Sequence, residues 1–110
     1  MFTSYFANWR NFREGYIPVS ITRFPPKNWT GLSIPNLAPS AELLQDYKNN
    51  RIDQKIFKYR YLDELRERGL DAQQIKSKLP DNIIFLCYEK KGDFCHRHIL
   101  AEWLGNIQEL

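Results

Sequence analysis

The feature that most constrains this chain is an unbroken apolar run, Ile83-Ile84-Phe85-Leu86-Cys87-Tyr88. Its length suits a β-strand, and its lack of alternation predicts a strand that is buried on both faces. Strands of this kind lie at the centre of parallel sheets that are covered by helices. The run therefore predicts an α/β fold with this strand near its middle.

The remaining elements extend that prediction to a small Rossmann-like three-layer domain with a short, mostly parallel sheet, spanning residues 1–110 as one domain. Two more strands are predicted, Phe2–Ala7 and Val19–Phe24, the second ended by the pair Pro25-Pro26. A polar and aromatic connection follows the first strand, and an irregular loop spans Pro25–Pro39. Helices are predicted over Ala41–Asn49 after the N-cap Ser40, over Asp71–Leu79, and from Phe94 to about Ile107. Another helix is predicted from the cap Asp53 to about Arg68, with Gly69 as its C-terminal stop. Its apolar stripe consists of Ile56, Tyr59, Leu62 and Leu65.

Charge and cysteine content narrow the class of protein. The net charge of +3 permits an anionic ligand without demanding one. No secretory signal and no apolar run long enough to span a bilayer are present, so we expect a cytoplasmic protein without a membrane partner. A disulfide between Cys87 and Cys95 can be drawn, but a reducing cytoplasm favours free thiols.

Chemically versatile residues follow the central strand, where open α/β sheets bind their ligands. Glu89 leaves the strand, Gly92-Asp93 supplies a turn with Asp93 as the predicted N-cap, and Cys95, His96 and Arg97 fall in the first helical turn. Free backbone N–H groups and the positive end of the helix dipole favour an anion or a thiolate there. This segment is the predicted functional site.

Each of these residues also has a purely structural interpretation. Cys95 is a candidate nucleophile, since helix starts and cationic neighbours activate thiols, yet most such cysteines simply pack. His96 fits either a hydrogen-bonded core histidine or an acid–base group. Arg97 is unfavourable at a helix start unless an anion faces it, and that anion is either a ligand or the carboxylate of Glu89.

No metal or cofactor is predicted. His96 and His98 are two residues apart on a helix and point to different faces, which disfavours a zinc site built from them and the cysteines. The sequence contains no CxxC pair, HExxH, GxGxxG, P-loop or GxSxG motif.

Aromatic and basic side chains alternate in the N-terminal half: Tyr5, Trp9, Arg10, Phe12, Arg13, Arg23, Lys27 and Trp29. Such a mixture can stack a base and hold its phosphate. The alternative is that the rings are core and the charges are ordinary surface. We also consider Trp29 a candidate lid, carried by the Pro25–Pro39 loop.

The stretch from Leu86 to His98, together with Trp103-Leu104, resembles family 488 of the domains of unknown function, and Cys95-His96-Arg97 is its most specific part. The resemblance continues over most of the chain, in the segments Thr3–Asn8, Ile21–Arg23 with Pro25-Pro26, and Leu37–Ser40, and in the helix that contains Phe57, Tyr59 and Tyr61. It implies a small Rossmann-like fold, and it implies no function. The positions that match the family's motif are Cys87, Glu89, Cys95, His96, Arg97, Asn8 and Arg23.

Three function classes follow from these observations. The first is binding of an anionic ligand, a nucleotide or nucleic-acid segment, by Arg97, Arg23, Asn8 and Tyr5 at the carboxyl end of the sheet. The second is a cysteine-dependent enzyme on such a substrate, with Cys95 as nucleophile or redox group and Glu89 or His96 as acid–base group. The third is an interaction protein, such as a phage product that sequesters a host factor or signalling nucleotide. Exposed edges of a three-stranded sheet also allow a homodimer.

Overall fold

The computed structural model describes residues 1–11, 14–90 and 92–110. These residues form one parallel sheet of five strands in the order β3-β2-β4-β1-β5. The strands are β1 Phe2–Tyr5, β2 Ile17–Ser20, β3 Leu32–Ser33, β4 Ile83–Cys87 and β5 Gln108–Glu109. The α-helices are α1 Phe6–Trp9, α2 Ala41–Lys48, α3 Gln54–Glu67, α4 Ala72–Lys78 and α5 His96–Trp103, and a 3-10 helix spans Pro35–Leu37.

The apolar run forms the central strand, as predicted. All five residues of β4 are buried, and β4 pairs with β1 on one side and β2 on the other. Phe85 and Cys87 join a core that includes Phe57 of α3 and Leu100 of α5. The predicted α/β class with a parallel sheet is confirmed.

Three helices begin at side-chain caps. Ser40, Asp53 and Asp71 each accept a hydrogen bond from the backbone N–H three residues on, which satisfies a donor that the first turn of α2, α3 or α4 leaves free. Gly69 follows α3 in the left-handed conformation, with φ of 74°, and stops that helix. Local sequence signals therefore set these boundaries.

The buried face of α3 differs from the predicted stripe. Phe57, Tyr61 and Leu65 are buried at a spacing of four residues, whereas Ile56 and Tyr59 are 45% and 58% exposed. The helix is apolar on more than one face, so helical spacing fitted two phases equally well. Packing into the common core, beside α2 and α5, selects the face that contains Phe57 and Tyr61. The Tyr61 hydroxyl donates to the carbonyl of Leu37.

The last helix is shorter than predicted at both ends. Cys95, rather than Asp93, occupies the N-cap position of α5, and no side chain caps it. The helix ends at Trp103 because Gly105 and Asn106 both adopt left-handed backbone angles. The chain then turns, and Gln108–Glu109 pairs with β1 instead of continuing the helix.

Two strands escaped prediction, and the three predicted ones end earlier. β3 and β5 each contain two residues, too short for a periodic signal, and both exist because a neighbouring strand offers backbone partners. The Pro25–Pro39 segment therefore contains β3 and the 3-10 helix rather than being irregular throughout. The connection after the first strand begins as helix α1.

Candidate functional site

The parallel strands bring several predicted residues to one edge of the sheet. Tyr5 ends β1 directly opposite Cys87, which ends β4, and Ser20 ends β2 opposite Leu86. Helix α5 begins beside this edge, with Cys95 at its N-cap. The carboxyl end of the sheet is therefore where the Cys-His-Arg segment meets the other strands.

Arg97 is fully buried, and its guanidinium is held from several directions. Nε and Nη2 donate to the carboxylate of Glu109, with N···O distances between 2.9 and 3.1 Å. Nη1 donates to the sulfur of Cys87 at 3.0 Å and to the backbone carbonyl of Glu89. The ring of Tyr5 lies 5.6 Å from the guanidinium carbon, within cation–π range.

The carboxylate that neutralises Arg97 is thus Glu109, and the expected partner, the side chain of Glu89, is not the one used. Burial disfavours ionisation of Glu109, but hydrogen bonds from Arg97 and Thr3 outweigh this effect and hold its pKa below the usual value. The complete burial of Arg97 argues against direct contact with a dissolved ligand. Its anion-binding role stays a prediction.

Cys87, Cys95, His96 and Arg97 form one buried group, which we call the thiol cluster. The structure joins the sulfurs of Cys87 and Cys95 as a disulfide, where the sequence favoured free thiols. Strand β4 and the start of α5 hold the two Cα atoms 7.6 Å apart, wider than the usual disulfide spacing of about 4.4–6.8 Å. The end of β4 therefore supplies one sulfur of the pair and the N-cap of α5 supplies the other.

The backbone carbonyl of Ile21, the residue directly after β2, orients the ring of His96. Its Nε2 lies 2.7 Å from the carbonyl oxygen of Ile21, which can only accept, so Nε2 carries the proton. Its Nδ1 is then the unprotonated nitrogen, and it faces the Cys95 sulfur at 3.8 Å. Burial lowers the pKa of His96 to about 4, which keeps the ring neutral near pH 7.

An open cleft of about 310 Å³ lies beside the thiol cluster, and we call it the carboxyl-end cleft. His96 forms part of its wall, so the cleft reaches the cluster through this ring. The other lining residues that matter below are Arg23, Phe24, Lys48, Tyr88 and Glu89. The Tyr88 hydroxyl donates to the carbonyl of Phe24 at 2.6 Å and connects the two sides of the opening.

The predicted site residues divide between two places. Arg23, Glu89 and His96 line the cleft, whereas Asn8 donates to Ser4 and to the carbonyl of Leu110 on the β1 side. The half-buried ring of Tyr5 contacts the buried Arg97, and neither residue belongs to the cleft lining. The structure does not bring Arg23 and Arg97 into one shared pocket.

Trp29, the candidate lid, lies away from the carboxyl-end cleft. Trp29 contacts Phe6 edge-on and donates from Nε1 to the carbonyl of Leu32 at 3.0 Å. It borders a separate hollow with Trp9 rather than the carboxyl-end cleft, so it is not a lid over that cleft. Phe12 and Arg13 lie outside the described residues.

Sequence reasoning missed Glu109, Lys48 and Phe24. Glu109 follows the predicted last helix, and no local pattern connects it to Arg97 twelve residues earlier. Lys48 lies in the last turn of α2, where a basic residue has an ordinary helical explanation. Phe24 lies at the end of the predicted strand Val19–Phe24, yet its side chain is 80% exposed at the cleft.

Comparison with known protein families finds a match. A family model described as "Active DUF488-N3 subclade" matches residues 6–108, nearly the whole chain. This chain belongs to the DUF488 family. The resemblance inferred from the Cys-His-Arg segment is thereby confirmed. No curated protein and no solved structure matches the chain.

Among the described residues, no helix has both the length and the apolar character needed to cross a bilayer.

Proposed function

We propose that this DUF488 protein binds a small anionic ligand of the nucleotide class in the carboxyl-end cleft. The observation that carries the proposal is the composition of the cleft, which combines two exposed cations, Arg23 and Lys48, with an exposed aromatic ring, Phe24. Cations recognise phosphate, and an exposed ring offers a base a stacking surface. The position at the carboxyl end of a parallel sheet is also where such folds bind ligands.

A hydrogen bond to a backbone carbonyl positions the Arg23 side chain at the cleft. Its Nε donates to the carbonyl of Pro39 at 3.1 Å, which fixes the guanidinium at the cleft. This hydrogen bond uses Nε rather than the terminal nitrogens Nη1 and Nη2. Those terminal nitrogens have a forked geometry suited to phosphate oxygens. Arg23 therefore replaces Arg97 as the main anion contact of the proposal.

Charge and size set the kind of ligand. The cations Arg23 and Lys48 outnumber the carboxylate of Glu89, while neutral His96 adds no charge. The volume of about 310 Å³ lies at the small end of the range of about 300–1,000 Å³ for ligand sites. A mononucleotide suits this cleft better than a nucleic-acid segment.

Calorimetric titration with AMP, adenosine and a short single-stranded oligonucleotide tests the proposal. AMP should bind more tightly than adenosine, because adenosine lacks the phosphate. Arg23→Ala should remove a charge-assisted contact of about 1.5–3 kcal/mol, roughly a tenfold or greater loss of AMP affinity.

Arg66→Ala is the matched control, since Arg66 is an exposed arginine on α3 that pairs with Asp63 away from the cleft. Its affinity for AMP should equal that of the wild type. If neither AMP nor the oligonucleotide binds, or if both arginine variants weaken binding equally, the proposal is wrong.

A second candidate function is a cysteine-dependent enzyme, favoured by the geometry of His96. The contact of its Nδ1 with Cys95 and of its Nε2 with the Ile21 carbonyl reproduces the nucleophile, base and orienting group of thiol catalysis. With the cysteines reduced, Nδ1 of His96 would accept the Cys95 proton as the sulfur attacks an electrophilic carbon, and the leaving group would depart with the electrons of the broken bond.

Iodoacetamide labelling of the reduced protein tests the enzyme candidate. At neutral pH the Cys95 thiolate should displace iodide faster than a free cysteine does, and His96→Asn should slow the labelling. His98→Asn, a change at a half-buried histidine on the same helix, should leave the rate unchanged. A Cys95 that stays unlabelled in the folded protein excludes it as a nucleophile.

A further inference from the structure

The thiol cluster contains the donor atoms of a possible metal site. Cys87 supplies one from the end of β4, and Cys95 and His96 supply the others from the start of α5. The sulfurs of Cys87 and Cys95 and a ring nitrogen of His96 all lie within 4.8 Å of one another, and all three residues are buried. The sequence disfavoured a zinc site because His96 and His98 point to different faces of the helix. His98 is not a member of this group of donor atoms. Cys87 instead arrives from β4, eight residues before Cys95.

We propose that the reduced protein binds one Zn²⁺ ion through the thiolates of Cys87 and Cys95 and Nδ1 of His96. Two sulfurs and one imidazole form a donor set that zinc prefers, and three protein ligands leave a fourth position for water or another small ligand. This proposal does not depend on what the carboxyl-end cleft binds.

The distances fit the coordination geometry. Zinc bonds of about 2.0–2.3 Å in a tetrahedron place neighbouring donor atoms roughly 3.5–3.8 Å apart. Nδ1 of His96 and the sulfur of Cys95 are already 3.8 Å apart. The Cα separation of 7.6 Å leaves room for the sulfurs to move apart once the disulfide is reduced.

Hydrogen bonds around the cluster support metal binding. A histidine that binds zinc through one nitrogen donates its other N–H to a carbonyl or carboxylate, and Nε2 of His96 faces the Ile21 carbonyl in this way. The guanidinium of Arg97 donates to the Cys87 sulfur at 3.0 Å, which stabilises a thiolate. Glu109 neutralises Arg97, so this cation does not add an uncompensated charge beside the metal.

Charge balance also favours the zinc-bound state of the reduced protein. Binding releases one proton from each thiol, and the two thiolates cancel the charge of Zn²⁺. No electron is transferred in this step. The disulfide and the metal site are mutually exclusive, because the bonded sulfurs lack the thiolate character that zinc requires.

Titration of the fully reduced protein with Co²⁺, as a spectroscopic substitute for Zn²⁺, tests the proposal without any activity assay. We expect one Co²⁺ per chain, a thiolate-to-cobalt charge-transfer band, and the visible bands of tetrahedral cobalt. Adding Zn²⁺ should displace the cobalt and remove these bands. Protein with a closed Cys87–Cys95 disulfide should show none of them.

Variants locate the ligands. His96→Asn should weaken metal binding by more than about 100-fold, since losing even an outer hydrogen-bond partner costs about 10–100-fold. His98→Asn is the matched control and should bind like the wild type. Cys95→Ser should reduce the charge-transfer intensity, because one thiolate is lost.

Circular dichroism of each variant shows whether it folds, and the wild-type comparison of reduced and oxidised protein needs no variant. Absence of the charge-transfer band in folded protein with two titratable thiols would overturn the proposal. Equal weakening by His96→Asn and His98→Asn would overturn it as well. A failure of AMP binding in the cleft leaves these spectra unchanged, so the two proposals fail separately.

Discussion

The ion pair between Arg97 and Glu109 should be the most sensitive polar contact in the fold. Arg97 is completely buried, and the Glu109 side chain retains 20% exposure. Glu109→Gln keeps the shape of the side chain but removes the charge that compensates the guanidinium. Breaking a buried pair in this way costs about 3–5 kcal/mol, and the partial exposure of Glu109 places the expected loss near 3 kcal/mol.

Urea unfolding followed by circular dichroism measures this loss. With a denaturant slope of about 1–3 kcal/mol per molar urea, a loss near 3 kcal/mol lowers the unfolding midpoint by about 1–3 M. A domain of this size has a total stability of about 5–15 kcal/mol, so the variant should remain folded but be clearly weakened. The loss should appear in the midpoint and leave the slope unchanged.

Glu102→Gln is the matched control, because Glu102 is an exposed glutamate whose partner is Lys58. Its loss should not exceed about 1 kcal/mol, the usual value for a surface pair. The double variant Arg97→Met/Glu109→Gln should be more stable than Glu109→Gln, since no buried charge is then left unpaired. If Glu109→Gln and Glu102→Gln shift the midpoint equally, our account of Arg97 is refuted.

Three further outcomes are expected from the same unfolding assay. Folding lowers the pKa of Glu109, so this residue stabilises the fold above its unfolded pKa of 4.5, and the stabilisation is lost as the pH falls through the folded pKa. Glu109→Gln should therefore weaken the dependence of stability on acid pH, and an unchanged pH profile would contradict this expectation. Tyr61→Phe should cost about 1–3 kcal/mol, because the carbonyl of Leu37 loses its buried donor, whereas Tyr59→Phe at an exposed position should cost almost nothing. Ser40→Ala should cost about 1 kcal/mol by removing the N-cap of α2, and a neutral result would show that the cap is dispensable.

Local signals in the sequence predicted much of the fold because they act over a few residues. The caps Ser40 and Asp53 follow from side-chain oxygens that reach the next turn, and the stop at Gly69 follows from its left-handed backbone. The buried strand β4 follows from the apolar run itself. The buried face of α3 could not be predicted, since only packing into the core distinguishes the Phe57 face from the Ile56 face.

The candidate site was predictable in position and only partly in composition. The end of β4 and the start of α5 had to meet, because a short turn connects them, and the family match supports the same segment. Whether Cys87 would reach Cys95 depended on which face of the sheet the Cys87 side chain occupies at the end of β4. Whether Arg23 would share a pocket with Arg97 depended on burial, which the motif does not encode.

The sequence by itself determined the order of the three longer strands and the four longer helices, the central position of Ile83–Cys87, and the family. These depend on local patterning and on the Cys95-His96-Arg97 motif. Only the tertiary structure decided that Arg97 pairs with Glu109 in the interior and that Arg23 stands at the cleft. The physical reason is that a two-residue strand after α5 delivers Glu109 to β1 through backbone pairing. Pairing across a sheet joins residues that no local pattern connects.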